Sequence, residues 1–394
     1  MSDTSGTFTE MRTYIAERAI SPDDGSVSWV VVSDDYELHP QATAYLASLQ
    51  SRDCSTNTQR VYAGRVALYL TRCAATGVDW AAPSFVWLTR FLHWLVEEPL
   101  PPRGRKAGPE PRFREKTTAN QIVTTVGEFL RFGVPNGWVT PETAAMLSEQ
   151  KYLSFLPPGY SAGEDGQHRI VDTKTVKFNV AVPGYEWLND KQFEQLVNAT
   201  TRARDRFLVS LLGATGTRIG EALGLHRQDM HLLSNSASLG CQVLGPHIHV
   251  RRRLNSNGAL AKSRKPRWIP VEDELVGLYA EYAHERAMVP EAAESEMVFV
   301  NLFRNPLGKP MGYSNAKDLF DRLAAKVGFA ARPHMLRHTA ATRWVRNGTP
   351  RDVVQELMGH VSPSSMDPYV HATDADKRAA VERLAAKRRQ EASA

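Results

Sequence analysis

Apolar residues recur at helical spacing between residues 41 and 150. The pattern predicts one amphipathic helix after a candidate N-cap at Ser55 or Thr56, a second from Phe85 to Val96, and a third from about 118 to 132. Apolar side chains three or four positions apart form the buried face that a packed helix requires. The sequence therefore predicts a helical domain over residues 41–150.

The segments on either side have a different pattern. Residues 1–40 are predicted to be an N-terminal arm with one strand in the β-branched run Ser28–Ser33. Residues 151–185 contain LPPGYSAGEDGQ and little periodicity, which is typical of an interdomain linker. Residues 186–394 are predicted to form a second domain of helices and a β-hairpin. The fold class is thus mostly α with a small β-hairpin or sheet, an α+β fold.

The hairpin is predicted from alternation. Ile248 and Val250 alternate with polar residues, as in a half-buried strand. The pair Asn257-Gly258 is typical of a tight turn, and the return strand is expected at 268–271. This arrangement places Lys262 on or just after the hairpin loop.

Composition and charge add little to this picture. Hydrophobic residues make up 42% and charged residues 23% of the 394 positions, as in a globular protein. A formal charge of +5 and an isoelectric point near 9.0 are a mild indication of a polyanionic partner.

The cysteines and the apolar segments exclude several classes of protein. Cys54, Cys73 and Cys241 are widely spaced, and without a Cys-x-x-Cys pair they predict neither a zinc ribbon nor a disulfide framework. No metal site is expected. The N-terminus lacks a secretion signal and no run is long enough to span a bilayer, so a cytoplasmic protein is predicted.

Positive charge is concentrated in two segments. One is a proline-rich stretch between the second and third predicted helices, and the other is the hairpin with its loop. Either segment suits a DNA phosphate backbone, although a solvated basic loop is an equally good interpretation of each alone. The predicted DNA contacts are Arg103, Arg105, Lys106, Arg112, Arg114, Arg251, Arg253, Arg264, Lys265 and Arg267.

Two short motifs place arginines at helix starts. In ATGTRIGEALGL, Thr217 is the predicted cap of a helix with Arg218 in its first turn and Glu221 three residues later on the same face. In RPHMLRHTAAT, His334 and Arg337 are likewise neighbours on one helical face. Alone, each pattern is common in surface helices.

A third motif precedes a tyrosine. In TPRDVVQELMGH, Thr349 is the predicted N-cap of a helix that ends at Gly359, so His360 lies just beyond the stop. Tyr369 follows, directly after Pro368. A histidine after a helix end, or a single tyrosine, has no chemical meaning by itself.

Taken together, the ordered set resembles the active-site signature of the tyrosine recombinase (phage integrase) family. The set comprises Arg218, Lys262, His334, Arg337, His360 and Tyr369. The resemblance includes the local contexts TGTRIGEALGL, HMLRHTAAT and ELMGHVS and covers residues 186–372. The helical segment at 41–150 resembles the family's core-binding domain by pattern only. Pro368 departs from the family pattern and bears on the geometry of Tyr369.

The resemblance implies a set of roles. Tyr369 would be the nucleophile that forms a 3′-phosphotyrosyl link to DNA, and Arg218 and Arg337 would hold the scissile phosphate. His334 would accept the phenol proton, Lys262 would protonate the leaving 5′-oxygen, and His360 would hydrogen-bond the phosphate. Glu221 would orient a neighbour. No cofactor is implied.

The resemblance also implies the partners. These are double-stranded DNA and further copies of the chain, as a tetramer on two DNA sites that is monomeric or dimeric when free. The helix expected after Tyr369 would pack against a neighbouring subunit, although a terminal helix folded on its own domain remains an alternative. DNA binding would place the protein at the nucleoid. The reaction would be integration, excision or transposition of a mobile element.

Two alternatives remain open. A type IB topoisomerase uses the same residue types but would relax plain supercoiled DNA as a monomer. A catalytically silent DNA-binding regulator would tolerate Tyr369→Phe without loss of function.

Overall fold

The computed structural model describes residues 12–101, 110–155, 169–181, 186–263 and 265–359. These residues form two compact units, the first up to residue 181 and the second from residue 186. Helices predominate in both, with antiparallel sheets of two or three strands. The predicted α+β fold is therefore confirmed. None of the described helices has the length and apolar character needed to cross a membrane.

A β-hairpin opens the described part of the first unit. Strands β1 (Tyr14–Ile20) and β2 (Val27–Ser33) pair antiparallel, and β2 covers the strand predicted at Ser28–Ser33. Both strands pack on helix α2 (Thr56–Thr76), and Val31 is fully buried in the core. From residue 12 onward, the predicted arm is thus integrated into the helical unit.

Helices with shared apolar faces make up most of this unit. The three predicted helices are present with end shifts of one to two residues, and Ser55 is the N-cap of α2, accepting a hydrogen bond from the Thr58 N–H at 3.1 Å. Their buried side chains form one core, because each helix presents an apolar stripe to the others. Besides α2, the predicted helices are α3 (Phe85–Glu97) and α4 (Lys116–Gly133). Two further helices are α1 (Pro40–Ser51) and α5 (Pro141–Ala145).

Part of the predicted linker is a strand instead. Strands β3 (Ser148–Tyr152) and β4 (Ile170–Lys174) form a two-stranded sheet, and Val176 beyond β4 is buried in the core of the first unit. Backbone pairing, the buried Val176 side chain and hydrogen bonds between the Asn120 side chain and the backbone of Phe178 hold this segment. None of these contacts produces a periodic sequence pattern, which is why the pattern predicted irregular structure.

The second unit is built around a buried central helix. In helix α7 (Ala203–Thr215), Phe207, Leu208 and Leu211 are fully buried. The helix continues through Gly213 to Thr215. A Cβ at Gly213 would lie 2.2 Å from Phe193 Cε2, so the glycine provides close packing rather than a stop.

The remaining elements follow in chain order. Asn189 is the N-cap of helix α6. Arg218 rather than Thr217 is the N-cap of α8, and Pro350 rather than Thr349 is the N-cap of α12. The elements are α6 (Asp190–Asn198), α8 (Ile219–Ala222), β5 (Met230–His231), β6 (His247–Val250), β7 (Arg267–Pro270), α9 (Asp273–Ala287), α10 (Tyr313–Val327), α11 (Pro333–Arg346) and α12 (Arg351–Met358).

The register of the three-stranded sheet separates two faces. His247 lies opposite Pro270 on β7 and opposite His231 on β5, and Val250 lies opposite Arg267. Because side chains alternate along a strand, Arg267 shares its face with Val250, whereas the histidines share the other face. The sheet therefore presents unlike side chains on its two sides.

The predicted hairpin turn lies inside a longer loop. Gly258 N–H donates to the Asn255 carbonyl at 2.9 Å, but residues 251–266 all lie between β6 and β7. The Asn257 side chain donates to the carbonyls of Leu223 and Met311, at 3.0 and 2.9 Å. Asn257 thus anchors the loop to the body of the unit instead of joining the strands directly.

Candidate active site

Arg218 lies at the N-terminal end of α8, just after the turn that ends α7. Gly216 in that turn has a φ of 60°, and a Cβ there would lie 2.9 Å from Met358 Sδ, so glycine suits both the conformation and the close approach. Arg218 Nη1 donates to Glu221 Oε1 at 3.1 Å, and the side chain is 25% exposed. The guanidinium is thus fixed by the protein and still accessible to solvent.

The buried carboxylate of Glu221 joins three guanidinium groups. Oε2 accepts hydrogen bonds from the backbone N–H of Arg218 at 3.0 Å and from Arg267 Nη2 at 2.7 Å, and Arg337 Nη1 lies 3.9 Å away. Burial opposes ionisation, but the hydrogen bond and charge of Arg267, followed by Arg218 and Arg337, hold the pKa of Glu221 below its usual value. We call Arg218, Glu221, Arg267 and Arg337 the Glu221 cluster.

Arg337 is the most deeply buried cation of this cluster. Its side chain is 1% exposed, and it extends from α11 between two backbone carbonyls. Nη1 donates to the carbonyl of Gly216 and Nη2 to that of Met358, both at 2.6 Å. These bonds tie α11 to the α7–α8 turn and to the last turn of α12.

Arg267 makes a similar connection from β7. The sequence predicts it as a DNA contact, but the structure buries its side chain against Glu221. Its Nε donates to the carbonyl of Leu357 at 3.0 Å, and a Cβ at Gly359 would lie 2.7 Å from its Nη1. The available signal was alternation, because Arg267 occupies the same strand face as the buried Ile269.

His334 lies one helical turn before Arg337 on α11. Its ring contacts that of His338 edge-on, with 4.4 Å between centroids. Desolvation, followed by the positive charges of Arg337, Arg218 and Lys262, lowers the pKa of His334. The imidazole is therefore neutral at neutral pH and can accept a proton.

Lys262 is exposed on the loop between β6 and β7. The loop packs closely on α8, because a Cβ at Gly220 would lie 3.1 Å from the carbonyl oxygen of Leu260. Arg252 Nη1 also donates to the carbonyl of Ala261 at 3.3 Å. These contacts hold Lys262 near enough for its charge to act on His334.

The other predicted DNA contacts differ in exposure. Arg253, whose side chain is 21% exposed, is paired with the fully buried carboxylate of Asp229 through bonds of 2.5 and 2.7 Å, an ion pair that the sequence did not predict. Arg114 is half-buried and donates to the carbonyl of Leu95 at 3.3 Å. The predicted contacts that are exposed are Arg112, Arg251 and Lys265.

Several predicted site residues fall outside the described residues. The description ends at Gly359, so it includes neither His360, Tyr369 nor the predicted C-terminal helix. The predicted phosphate contacts outside it are Arg103, Arg105, Lys106 and Arg264.

The chain is similar to known recombination proteins. Residues 186–376 match the model of the phage integrase family. Transposase A from transposon Tn554 of Staphylococcus aureus is 28% identical over 360 residues, covering 88% of this chain and 91% of that protein. Tyrosine recombinase XerD of Lacticaseibacillus casei is 25% identical over 297 residues, covering 73% and 85%.

Solved structures show the same fold. The Tn1549 transposon integrase in complex with circular intermediate DNA has a TM-score of 0.58 at 16% identity, covering 86% of this chain and 98% of that one. XerH site-specific recombinase in a post-cleavage complex with palindromic difH substrate has a TM-score of 0.51 at 18% identity, covering 84% and 80%.

Proposed function

Because the chain belongs to the phage integrase family of tyrosine recombinases, we propose that it cleaves and rejoins DNA at specific sites through a covalent 3′-phosphotyrosyl link at Tyr369. The observation that supports this most strongly is the Glu221 cluster, in which one buried carboxylate orients Arg218 and Arg337 beside His334. A phosphodiester undergoing substitution gains negative charge on its non-bridging oxygens. Preorganised guanidinium groups stabilise that charge.

The two arginines contribute in different ways. Arg218, which keeps a solvent-exposed fraction, donates directly to a non-bridging oxygen of the scissile phosphate. Arg337 acts on the same charge from within the protein, where the low dielectric strengthens its effect. Glu221 and Arg267 are positioning residues, since they hold the arginines and the end of α12 without themselves contacting DNA.

Cleavage is a balanced exchange of one ester for another. The phenolic oxygen of Tyr369 forms a bond to phosphorus while the bond from phosphorus to the 5′-oxygen breaks. His334 takes the phenolic proton, Lys262 donates a proton to the departing 5′-oxygen, and His360 donates a hydrogen bond to the phosphate. Attack by a 5′-hydroxyl of the partner strand reverses these steps and restores the free tyrosine.

The biological setting we propose is movement of a mobile element. The similarity to transposase A extends over most of both chains, including the helical first unit. Structural neighbours in complex with recombination DNA support double-stranded DNA as the substrate. A tetramer on two DNA sites would supply the four active sites that exchange of two duplexes needs.

Covalent trapping tests this proposal. The protein is incubated with nicked DNA duplexes that span the ends of the mobile element carrying its gene. The mixture is then denatured in detergent and separated on a gel. We expect a protein–DNA adduct with wild type and with the control Tyr313→Phe, whose side chain is exposed on α10, and none with Tyr369→Phe. An adduct that persists in Tyr369→Phe would contradict the assignment of the nucleophile.

A relaxation assay separates recombinase from topoisomerase. We expect no relaxation of a supercoiled plasmid that lacks the element's ends. Rapid relaxation of such a plasmid by wild type but not by Tyr369→Phe would favour the topoisomerase.

A further inference from the structure

Four potential metal ligands converge on the sheet face opposite Arg267. His231 lies on β5, His247 and His249 lie on β6, and Cys241 lies in the loop between these strands. The register pairs His231 with His247, and His247 and His249 are two positions apart, so the three rings share one face. We call these four residues the His/Cys cluster. None of them belongs to the Glu221 cluster.

Three of the four potential ligand atoms are spaced much as the corners of a tetrahedral zinc site are, and the fourth lies nearby. His247 Nε2 lies 3.1 Å from His249 Nε2, and Cys241 Sγ lies 3.3 and 3.5 Å from these two nitrogens. One ligand atom from each of the four residues lies within 4.8 Å of all the others. Zinc bonds of about 2.0 Å to nitrogen and about 2.3 Å to sulfur imply tetrahedral edges of roughly 3.3–3.6 Å.

The second nitrogens of two rings are held by backbone carbonyls. His247 Nδ1 lies 2.7 Å from the carbonyl oxygen of Gly245, and His231 Nε2 lies 3.2 Å from that of Gln228. If each of these nitrogens carries the ring proton, the lone pair of the other nitrogen is directed into the cluster. Metal-binding histidines are oriented by the same kind of hydrogen bond.

One buried atom lacks a partner. His231 is 7% exposed, and its Nδ1 has no hydrogen-bond partner among the described residues. A buried nitrogen lone pair without a hydrogen-bond donor costs free energy. The hydrogen bonds among the cluster residues do not satisfy the lone pair of His231 Nδ1. A cation at the centre of the cluster would satisfy it.

The loop between β5 and β6 is folded so that the cysteine reaches the histidines. The N–H of Cys241 donates to the carbonyl of Ser236 at 3.2 Å, and the N–H of Gly245 donates to that of Ser234, also at 3.2 Å. These bonds return the chain over the sheet. The thiol is therefore placed by local structure and not by proximity in sequence.

We propose that the His/Cys cluster binds one structural Zn²⁺ ion, coordinated by His231 Nδ1, Cys241 Sγ, His247 Nε2 and His249 Nε2. Cys241 loses its thiol proton on binding, so three neutral imidazoles and one thiolate leave the site with a net charge of +1. A closed set of four protein ligands is typical of a structural site, and three imidazoles with one thiolate suit zinc. The ion ties the β5–β6 loop to the sheet whose other face holds Arg267.

Native mass spectrometry of the full, tag-free chain tests this site. The protein is purified with zinc present throughout and then transferred to a volatile buffer. We expect a mass increase of one zinc ion per chain in wild type and in two controls, Cys54→Ser and the exposed His284→Gln, and none in Cys241→Ser. The proposal would be overturned if the wild-type protein carried no zinc. It would also be overturned if Cys241→Ser bound as much zinc as the wild type.

Cobalt substitution provides a readout that does not depend on folding yield. After removal of zinc, we expect added Co²⁺ to give the visible bands of tetrahedral coordination and a near-ultraviolet thiolate-to-cobalt band, the latter absent in Cys241→Ser. Removal of the metal should also lower the melting temperature by roughly 5–15 °C, as expected for loss of a tightly bound ligand. Absence of the thiolate band in wild type would show that Cys241 is not a ligand. Neither the zinc nor the cobalt measurement involves DNA. Failure of the zinc proposal can therefore be distinguished from failure of the proposed function, which the covalent-trapping assay tests.

Discussion

The two faces of the three-stranded sheet hold polar clusters with opposite requirements. On one side, three guanidinium groups share the single carboxylate of Glu221, so the cluster keeps an excess of positive charge. On the other side, three imidazoles and a thiol converge and leave Nδ1 of His231 without a donor. The first face is therefore suited to bind an anion and the second to bind a cation. An excess of positive charge on one face and an unsatisfied nitrogen lone pair on the other thus indicate the sign of the ligand that each cluster would bind.

The largest expected effect tests how deeply the charged cluster is built into the fold. Arg337→Ala removes a buried cation and both of its carbonyl contacts, so we expect the free energy of unfolding to fall by about 3–5 kcal/mol. Urea unfolding at neutral pH measures this loss. The control, Arg343→Ala, removes a cation on the same helix that pairs with an exposed carboxylate and lies over the Phe193 ring, and should cost about 1–2 kcal/mol. Equal losses in the two variants would mean that burial does not distinguish them.

Neutralising the shared carboxylate should have the next largest effect. Glu221→Gln keeps the shape but leaves three guanidinium groups without their anion, which should cost about 3 kcal/mol at pH 7. Because the folded pKa of Glu221 is lowered, its stabilisation is present above its unfolded value of about 4.5 and is lost as pH falls through the lower folded value.

The stability difference between wild type and Glu221→Gln should therefore shrink in acid. Unfolding curves at pH 7 and at about pH 3 check this dependence. Glu281→Gln, at an exposed ion pair, is the matched control and should have little effect at either pH. If the difference in unfolding free energy were the same at pH 7 and pH 3, the claim that Glu221 is ionised in the folded protein would be contradicted.

A smaller effect concerns the proton acceptor. Lys262→Met removes one of the positive charges that lower the pKa of His334, so that pKa should rise toward 6.5. Imidazole NMR titration follows the ring directly. Lys265→Met, which removes a neighbouring exposed cation, is the control and should leave the titration unchanged. If the two substitutions raise the pKa of His334 equally, the loop does not place Lys262 beside His334.

The smallest effect should come from the exposed cations. Lys265→Ala is expected to weaken DNA binding and to reduce the slope of log affinity against log salt by about 1, as for loss of one phosphate contact. Filter binding at several salt concentrations measures the slope. Lys317→Ala, on α10 outside the predicted contacts, should leave it unchanged. An unaltered slope for Lys265→Ala would remove that lysine from the predicted interface.

The residue types of the candidate site could be predicted from the sequence, but their assembly could not. Arg218, His334 and Arg337 were singled out by the resemblance of the ordered set to the tyrosine recombinase signature, because each motif alone is common in surface helices. Arg253 and Arg267 could not be separated from surface cations, because their pairing depends on which buried carboxylate the folded loops bring near.

The unpredicted strands and the His/Cys cluster have the same explanation. Strand β4 is held by backbone pairing, which no side-chain pattern records. His247 and His249 do alternate in sequence, but Cys241 and His231 join them only through the loop and the sheet register. Spacing rules for zinc ribbons apply to ligands close in sequence, and these ligands come from three segments.

The most direct test of the difference between the two faces is a single-turnover cleavage rate on nicked DNA, measured for Arg218→Ala and Cys241→Ser side by side, each below its own melting temperature. We predict that Arg218→Ala slows cleavage by about 10²–10³-fold, as for loss of one transition-state donor. Cys241→Ser should cleave at the wild-type rate despite its lower melting temperature. Wild-type cleavage by Arg218→Ala, or an equal loss in both variants, would contradict the assignment of DNA cleavage to the charged face alone.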